Sequence, residues 1–245
     1  LMSEQYVLET RNLVKEFKGF VAVNDVNLQI RQGDIHALIG PNGAGKTTVF
    51  NLLTKFLIPT RGQILYRGED ITPLKSAAIA RKGIVRSFQI SAVFPHMTAL
   101  ENIRVALQTA EGSSYSFWKS GNSLHKLNER CMELLESVGL AEFANTTTVE
   151  LAYGRKRALE LATTLAMEPQ LLLLDEPTQG MGSEDVDRVV ELVRKAAQGR
   201  TVLMVEHNLS VVSKLCDRIT VLAQGAVLTE GDYQTVSADP VSYTH

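Results

Sequence analysis

The chain begins with an alternation of apolar and polar residues. In the segment 23–30, Val26, Leu28 and Ile30 take every second position, as on the buried face of a half-exposed antiparallel strand. A polar turn follows, and the short apolar stretch 34–40 predicts the next strand. The first part of the chain is therefore predicted to be rich in strands.

Helical periodicity starts directly after this strand. Residues 44–57 carry the apolar spacing of a helix, and 62–71 then predict a strand that runs into a hairpin-like turn at 67–70. From 98 to 149 the pattern is mostly helical. The middle of the chain therefore predicts a helical insertion.

Two helix-end signals lie in this insertion. Thr98 and Glu101 have the spacing of a capping box, in which each side chain accepts a hydrogen bond from the backbone of the other residue. Gly139 lies near the end of the amphipathic segment 127–140 and predicts its C-terminal stop.

Alternation of strands and helices returns in the last third of the chain. The pattern predicts a fully buried strand over 170–177, a helix over 184–197 and another buried strand over 201–208. Strands that alternate with helices are typical of an α/β fold, whose mainly parallel sheet is covered on both faces.

Composition narrows the class of protein. The 245 residues are 44% hydrophobic and 21% charged, with a formal net charge of −2, so no overall field attracts nucleic acid or anionic lipid and any anion site must be local. No apolar run is long enough to span a bilayer, which predicts a cytosolic chain or one held at a membrane by a partner. Cys131 and Cys216 lack metal spacing and predict two buried free thiols.

The strongest chemical signal is the stretch GPNGAGKT, a complete G-x-x-x-x-G-K-S/T loop between a predicted strand and a predicted helix. Its glycines let backbone N–H groups surround a phosphate chain, Lys46 supplies a positive charge, and the Thr47 hydroxyl is a ligand for Mg²⁺. Thr48 adds a second hydroxyl. The predicted ATP-binding residues of this loop are Gly40, Pro41, Asn42, Gly43, Ala44, Gly45, Lys46, Thr47 and Thr48.

A second signal is the stretch LLLLDEP, where a buried strand delivers two acidic residues at the sheet edge at which ligands bind in open α/β sheets. Asp175 is predicted to hold Mg²⁺ through water, and Glu176 to polarise the attacking water. In isolation the same residues are more typical of an acidic helix cap after a buried strand, and the phosphate loop is what favours the catalytic interpretation.

A third stretch, LAYGRKRALELA, predicts a helix that begins with the cations Arg155, Lys156 and Arg157. Cations are unfavourable at the positive end of the helix dipole, so this pattern indicates an anion close to the helix start.

These motifs, with SFQ and VEHN in the same order along the chain, resemble the nucleotide-binding subunits of ABC transporters, and the resemblance covers nearly the whole chain. Among these subunits, the chain is most similar to the ATPases of branched-chain amino-acid importers, through the stretches GIVRSFQISAVFPHMTALENI, LAYG and GMG. The resemblance implies a P-loop NTPase with a mainly parallel core sheet, an N-terminal antiparallel β subdomain and an inserted helical subdomain. It implies one domain over 1–245, with the core in 1–90 and 156–245 and the helical subdomain in 91–155.

The resemblance also assigns roles to single residues. Phe17 matches the aromatic residue that stacks on adenine, although from the sequence it is equally well a core aromatic. Gln89 matches the glutamine that reaches Mg²⁺ and the attacking water, and His207 matches the histidine that contacts the γ-phosphate. With Lys46 and Glu176, these two residues complete the implied catalytic set.

The signature helix is implied to meet ATP bound to the phosphate loop of a second cassette. Its residues here are Leu151, Ala152, Tyr153, Gly154 and Arg155. In the common signature, LSGGQ, a serine stands at Ala152, a glycine at Tyr153 and a glutamine at Arg155. A second departure is at Gly182, near which many relatives carry Asp or Asn.

The implied function is that of an importer ATPase at the cytoplasmic face of the inner membrane, with ATP and Mg²⁺, permease subunits, a second ATPase subunit and, indirectly, an extracytoplasmic solute-binding protein. No nucleic-acid partner is expected. The alternatives are a soluble ABC ATPase of repair or translation, and a P-loop kinase or GTPase, which lacks the signature helix and the switch histidine. The aromatic residues Tyr115, Phe117 and Trp118 are predicted to pack on the helical subdomain rather than to contact a permease or lipid.

Overall fold

The computed structural model describes residues 5–87, 93–110 and 121–240, and the chain divides into two compact units. The strand unit comprises Leu1–Arg86, Gln170–Glu176 and Ala197–His245, and the helical unit comprises Ser87–Pro169 and Pro177–Ala196. The boundaries of these two units differ from those of the predicted helical subdomain, 91–155. The predicted subdivision stays a prediction. Gln89 and the three aromatic residues near 115–118 lie outside the described residues.

Strands and helices alternate along the chain. The strands are β1 (Tyr6–Phe17), β2 (Phe20–Val26), β3 (Gln29–Arg31), β4 (Ile35–Ile39), β5 (Arg61–Tyr66), β6 (Glu69–Asp70), β7 (Ile84–Ser87), β8 (Leu171–Asp175), β9 (Thr201–Val205), β10 (Arg218–Ala223) and β11 (Ala226–Gly231). The helices are α1 (Lys46–Leu53), α2 (Ser76–Arg81), α3 (Ala99–Ala110), α4 (Gly121–Ser137), α5 (Tyr153–Leu165), α6 (Ser183–Ala196), α7 (Leu209–Leu215) and α8 (Tyr233–Ala238). Helices α3 to α6 form the helical unit.

The larger sheet is mainly parallel, as predicted. Its strand order is β11, β10, β4, β9, β8, β7, in which β10, β4, β9 and β8 run parallel and β11 is an antiparallel edge strand. The predicted strands and helix of the last third agree with β8, α6 and β9, and the four leucines Leu171 to Leu174 are fully buried. Their burial on both faces explains why this strand reads as an unbroken apolar run.

The N-terminal sheet is antiparallel, with the order β2, β1, β5, β6 and with β3 paired to β1. The prediction of one strand over 23–30 is wrong, because β2 ends at Val26 and β3 begins only at Gln29. Thr10 of β1 bridges the gap: its hydroxyl donates to the Val26 carbonyl (2.9 Å) and accepts from the Leu28 amide (2.9 Å). The predicted apolar face is nevertheless correct, since Val26, Leu28 and Ile30 are all buried.

Helix α1 is shorter than the predicted 44–57. It starts at Lys46, after Gly45 in a left-handed conformation (φ 100°), and ends at Leu53. Lys55 is also left-handed, with φ 67°, and the Leu57 amide donates back to the Asn51 carbonyl at 3.0 Å. A left-handed residue with such a reversed bond ends a helix, so the apolar residues beyond it belong to a loop.

The turns and caps predicted from single residues are confirmed. Tyr66 pairs with Glu69 across a two-residue turn, in which Arg67 and Gly68 both have positive φ, as a type I′ hairpin requires. Glu101 and Thr98 exchange the two capping-box bonds at 3.1 and 3.2 Å.

Gly139 ends helix α4 as predicted. It has φ 73°, its amide donates to the Glu136 carbonyl at 3.0 Å, and the Leu140 amide donates to the Leu135 carbonyl at 2.8 Å. This pair of bonds is the Schellman motif, which satisfies the last carbonyls of a helix.

Both cysteines are free thiols, as predicted. Cys131 is buried but Cys216 is only half-buried, and burial raises the pKa of both thiols, that of Cys216 to about 12. Among the described residues no helix is both long and apolar enough to cross a membrane.

His36 lies fully buried in β4, the strand that leads into the phosphate loop, and its Nε2 is 2.7 Å from the Thr220 hydroxyl. Burial, helped by Arg218 and Arg31, lowers its pKa from 6.5 to about 3. Between these two pH values the unfolded chain binds a proton that the folded chain does not, so the free energy of unfolding falls as the pH falls below 6.5.

We therefore expect the protein to lose about 2 kcal/mol of stability at this residue between pH 7.5 and pH 5. Urea unfolding at the two pH values measures this loss. His36→Gln is expected to lose about 2 kcal/mol less than the wild type over that range, whereas His125→Gln, a change at an exposed histidine, keeps the wild-type loss. Equal losses in the wild type and His36→Gln would show that His36 is not the responsible group.

Candidate functional site

The phosphate loop connects the end of β4 to the start of α1. Gly40 has φ 154°, and a Cβ placed on it would lie 2.1 Å from the backbone oxygen of Leu222. A Cβ on Gly45 would lie 2.7 Å from the backbone oxygen of Ala22. The loop therefore needs glycine at both positions, because the backbone of neighbouring strands passes directly against it.

Lys46 is buried, and its Nζ donates a hydrogen bond of 2.5 Å to the Gly40 carbonyl, across the mouth of the loop. Burial lowers its pKa, while the carboxylates of Glu176, Glu206 and Asp175 oppose that shift. Thr47, in the first turn of α1, is exposed. The loop thus presents a helix N-terminus and a sequestered cation at one place, which together suit a phosphate group.

The two acidic residues after the leucine strand lie at the same edge of the sheet as the phosphate loop, because β8 and β4 are both parallel to β9, which lies between them. Glu176 is held by a backbone bond from its amide to the Val205 carbonyl (2.8 Å) and has φ 46°. A left-handed conformation is uncommon for a residue other than glycine and marks a backbone constrained by its surroundings.

His207 follows β9 and lies beside Glu176. Its Nδ1 is 3.6 Å from Oε1 of Glu176, and the imidazole is 58% exposed. Glu206, which the sequence analysis missed, is fully buried, and its carboxylate accepts the amides of His207 (3.0 Å) and Asn208 (3.2 Å). The backbone that carries His207 is therefore fixed by a buried carboxyl group while its ring stays accessible.

Arg86 is the second residue that sequence reasoning missed. Its Nη2 is 2.5 Å from Oδ2 of Asp175, and its Nη1 donates to Oδ1 of Asn51 at 2.7 Å. The only signal in the sequence is its position in VRSFQ, three residues before Gln89.

Thr47 and Asp175 supply a hydroxyl and a carboxylate oxygen, the hard donors that Mg²⁺ prefers. Within the described ranges, no three His, Cys, Asp or Glu side chains are grouped to hold a metal by themselves. Mg²⁺ is commonly held by one or two protein ligands together with substrate phosphates, so this sparse donor set fits the ion.

Phe17 ends β1 and is 40% exposed, so it is not a core aromatic. The Lys15 ammonium lies 5.0 Å from the centre of its ring, and Phe20 lies opposite it in the paired strand. A cation thus lies over the ring of Phe17, and the side chain remains partly exposed.

The signature residues start helix α5 in the helical unit. Ala152 is the N-cap and offers no side-chain oxygen, and the preceding Leu151 is buried. The Tyr153 hydroxyl donates to the Gln179 carbonyl at 3.1 Å, which ties the helix start to the segment that follows Pro177. Gly154 packs so closely on Asp185 that a Cβ there would lie 3.3 Å from a carboxylate oxygen.

Two of the three cations at the start of α5, Arg155 and Arg157, have partners within the helical unit. The Arg155 guanidinium lies over the Phe143 ring at 4.3 Å from its centre. Arg157 is buried, and it pairs with Glu160 at 3.1 Å and lies over Tyr153. Packing and pairing thus account for these two cations without a bound anion.

The chain is similar in sequence and in fold to known proteins. A family model described as ABC transporter matches residues 23–179. The chain is 40% identical over 241 residues to the high-affinity branched-chain amino acid transport ATP-binding protein BraF of Pseudomonas aeruginosa, a match that covers 96% of this chain and 94% of BraF. It is 39% identical over 243 residues to the LivG protein of the same description from Escherichia coli, covering 96% and 95%.

A crystal structure of the ADP conformation of an ATP-binding cassette of an ABC transporter matches with a TM-score of 0.85 and 28% identity, over 98% of this chain and 97% of that one. The family and the fold class implied by the sequence are thereby confirmed. The chain belongs to the ABC transporter family, as an ATP-binding, ATP-hydrolysing subunit of a transporter.

Proposed function

We propose that this chain powers an importer of branched-chain amino acids or of a related small amide or acid. The observation that carries the proposal is the 40% and 39% identity to two proteins named for branched-chain amino acid transport, over 94% and 95% of their lengths. In the proposed assembly the chain sits at the cytoplasmic face of the inner membrane, paired with a second ATPase subunit and bound to permease subunits. An extracytoplasmic solute-binding protein delivers the solute and contacts this chain only indirectly.

ATP binds to the strand unit in this proposal. Phe17 stacks on adenine, an assignment supported by its exposed ring, while the loop from Gly40 to Thr48 surrounds the phosphates. Lys46 exchanges its bond to the Gly40 carbonyl for the terminal phosphates, whose charge favours the ammonium form.

Thr47, Asp175 and Gln89 hold Mg²⁺ in the proposed site. The ion, when bound, neutralises charge that develops on the phosphate oxygens during transfer to water. Asp175 is well placed for this role because it ends a buried strand and its carboxylate is fixed by an ion pair.

Hydrolysis requires a water aligned with the γ-phosphate, and Glu176 is the proposed base that orients and polarises it. The constrained backbone of Glu176 and its 3.6 Å approach to His207 support this assignment. His207, the proposed switch histidine, then contacts the γ-phosphate. Transfer to water needs little covalent help, so positioning and charge neutralisation supply most of the rate acceleration.

The second half of each site comes from the partner cassette in this proposal. The N-terminus of α5, at Gly154, meets the γ-phosphate bound to the other subunit, as a helix N-terminus favours an anion. Closure of the pair on two ATP molecules pulls on the permeases, and hydrolysis resets it.

Association with membrane proteins tests the proposed function. The tagged chain, expressed in its own host, is expected to copurify with permease subunits from detergent-solubilised membranes. Recovery of an active ATPase without any permease would overturn the importer assignment and favour a soluble ABC ATPase of repair or translation.

Ala152→Ser restores the hydroxyl of the common signature and is expected to tighten ATP-driven pairing of the cassettes by about tenfold, because a hydrogen bond to a charged group contributes about 1.5–3 kcal/mol. Size-exclusion chromatography over a range of ATP concentrations, with the catalytic base inactivated, measures this change. Ala77→Ser, at an exposed alanine of α2, is the matched control and should leave pairing unchanged. Identical pairing in Ala152→Ser and the wild type, together with identical turnover when the base is intact, would show that the missing hydroxyl does not limit closure of the cassettes.

A further inference from the structure

Arg86 lies on β7 with its side chain only 5% exposed, and it joins three elements of the strand unit. One terminal nitrogen pairs with Oδ2 of Asp175 at the end of β8, and the other donates to Oδ1 of Asn51 in α1. The guanidinium also lies over the Phe50 ring of α1, 5.3 Å from its centre. The planar group is therefore fixed in position by a carboxylate, an amide oxygen and an aromatic face.

This arrangement determines what Asp175 offers to a cation. Oδ2 is engaged by the guanidinium, so the carboxylate keeps its other oxygen for a ligand. The Arg86 guanidinium also balances the negative charge of Asp175. The buried ammonium of Lys46 lies close enough to Asp175 for these two charges to interact as well. A free divalent cation that approached this edge of the sheet would meet these two positive groups beside the carboxyl groups of Asp175, Glu176 and Glu206, so the two cations offset much of the attraction that the carboxylates exert.

Phosphate oxygens add the negative charge that these two cations offset. ATP brings several negative charges to the loop beside Lys46, and a divalent cation then gains ligands and charge that the protein alone does not supply. The protein contributes a hydroxyl at Thr47 and one fixed oxygen at Asp175.

We propose that Arg86 is a positioning residue that holds Asp175 and neutralises it, so that the site accepts a divalent cation only together with nucleotide. Arg86 itself touches neither the cation nor ATP. The inference rests on the proposed role of Asp175 as a metal-holding residue and adds the reason why that residue does not capture the ion before ATP arrives.

Mn²⁺ serves as the probe, because the electron paramagnetic resonance signal of the free ion disappears on binding. The wild-type chain without nucleotide is expected to show no one-to-one site below millimolar Mn²⁺, and to show one with a non-hydrolysable ATP analogue present. Tight one-to-one binding of Mn²⁺ by the nucleotide-free wild type would overturn the inference. Because this measurement uses the wild-type protein alone, its result does not depend on whether a variant folds.

Variants then assign the effect to charge. Arg86→Gln is expected to raise the affinity of the nucleotide-free protein for Mn²⁺ by about tenfold or more, since it leaves the carboxylate unbalanced. Arg86→Lys keeps the positive charge and Asn51→Ala keeps the ion pair, so both are expected to bind Mn²⁺ as the wild type does. Unchanged Mn²⁺ affinity in folded Arg86→Gln would contradict the inference.

Asp175→Asn separates this inference from the proposed site. If Asp175 holds the ion, this variant loses Mn²⁺ binding in the presence of the ATP analogue, and Arg86→Gln combined with Asp175→Asn loses the gain made by the single change. Persistence of nucleotide-dependent binding in Asp175→Asn would reject the proposed metal site itself. Loss of that binding, together with tight binding by the nucleotide-free wild type, would reject the role of Arg86 alone.

Discussion

Glu176→Gln is expected to bind ATP with nearly the affinity of the wild type and to hydrolyse it at least about 100-fold more slowly, because a positioned base contributes about 10²–10⁴ to a rate. The glutamine keeps the size of the side chain but cannot accept the proton of the attacking water. Since hydrolysis resets the proposed dimer, the variant should also accumulate as a closed pair of cassettes on ATP. Turnover at saturating ATP and size-exclusion chromatography with and without ATP measure the two effects.

Glu69→Gln makes the same chemical change at an exposed residue of the β5–β6 hairpin, where the side chain pairs with Lys82, and it should leave turnover unchanged. A rate within a few-fold of the wild type in Glu176→Gln would reject Glu176 as the base. In that case Glu206, the other carboxylate near His207, becomes the residue to test.

Gly40→Ala is expected to destabilise the nucleotide-free protein by about 3–4 kcal/mol and to lower its Tm by about 10 °C, from backbone strain and overpacking together. The added Cβ would meet the backbone oxygen of Leu222 at 2.1 Å and the Cβ of Ala44 at 3.1 Å, so a strand or the loop must move. Thermal unfolding followed by circular dichroism, without nucleotide, measures the change.

Gly43→Ala is the matched control, in the same loop and also at positive φ (82°), but with no atom within 4 Å of the added Cβ. Its cost is confined to the left-handed backbone, about 1–2 kcal/mol. Equal loss of Tm in the two variants would mean that crowding against Leu222 does not dictate glycine at the start of the loop.

Local chemistry made most of the fold predictable. Several features depend on residues only a few positions apart: the buried leucines of β8, the turn at Arg67 and Gly68, and the capping box of Thr98. A short window of sequence therefore contains all the residues that form each of them. The break between β2 and β3 does not, because the group that replaces the missing ladder bonds is the hydroxyl of Thr10 on another strand. A window around 23–30 cannot contain that partner.

The candidate site divides in the same way. The phosphate loop, Asp175 and Glu176 follow from motifs next to predicted strand ends. Arg86 does not, because its partner Asp175 is 89 positions away in sequence and the two meet only when β7 lies beside β8. The anion predicted beside the cations of LAYGRKR stays a prediction. The ring on which Arg155 packs belongs to a different segment, so this stretch of sequence does not contain it.

Transport itself tests the central proposal most directly. The chain is reconstituted in proteoliposomes with its permease subunits, its partner ATPase and the solute-binding protein, and uptake of labelled leucine, isoleucine and valine is followed with ATP on the cytoplasmic side. We predict uptake that requires ATP and is lost when Glu176→Gln replaces the wild-type chain. ATP hydrolysis at the normal rate, with no accumulation of any branched-chain amino acid, small amide or urea, would contradict the proposed function.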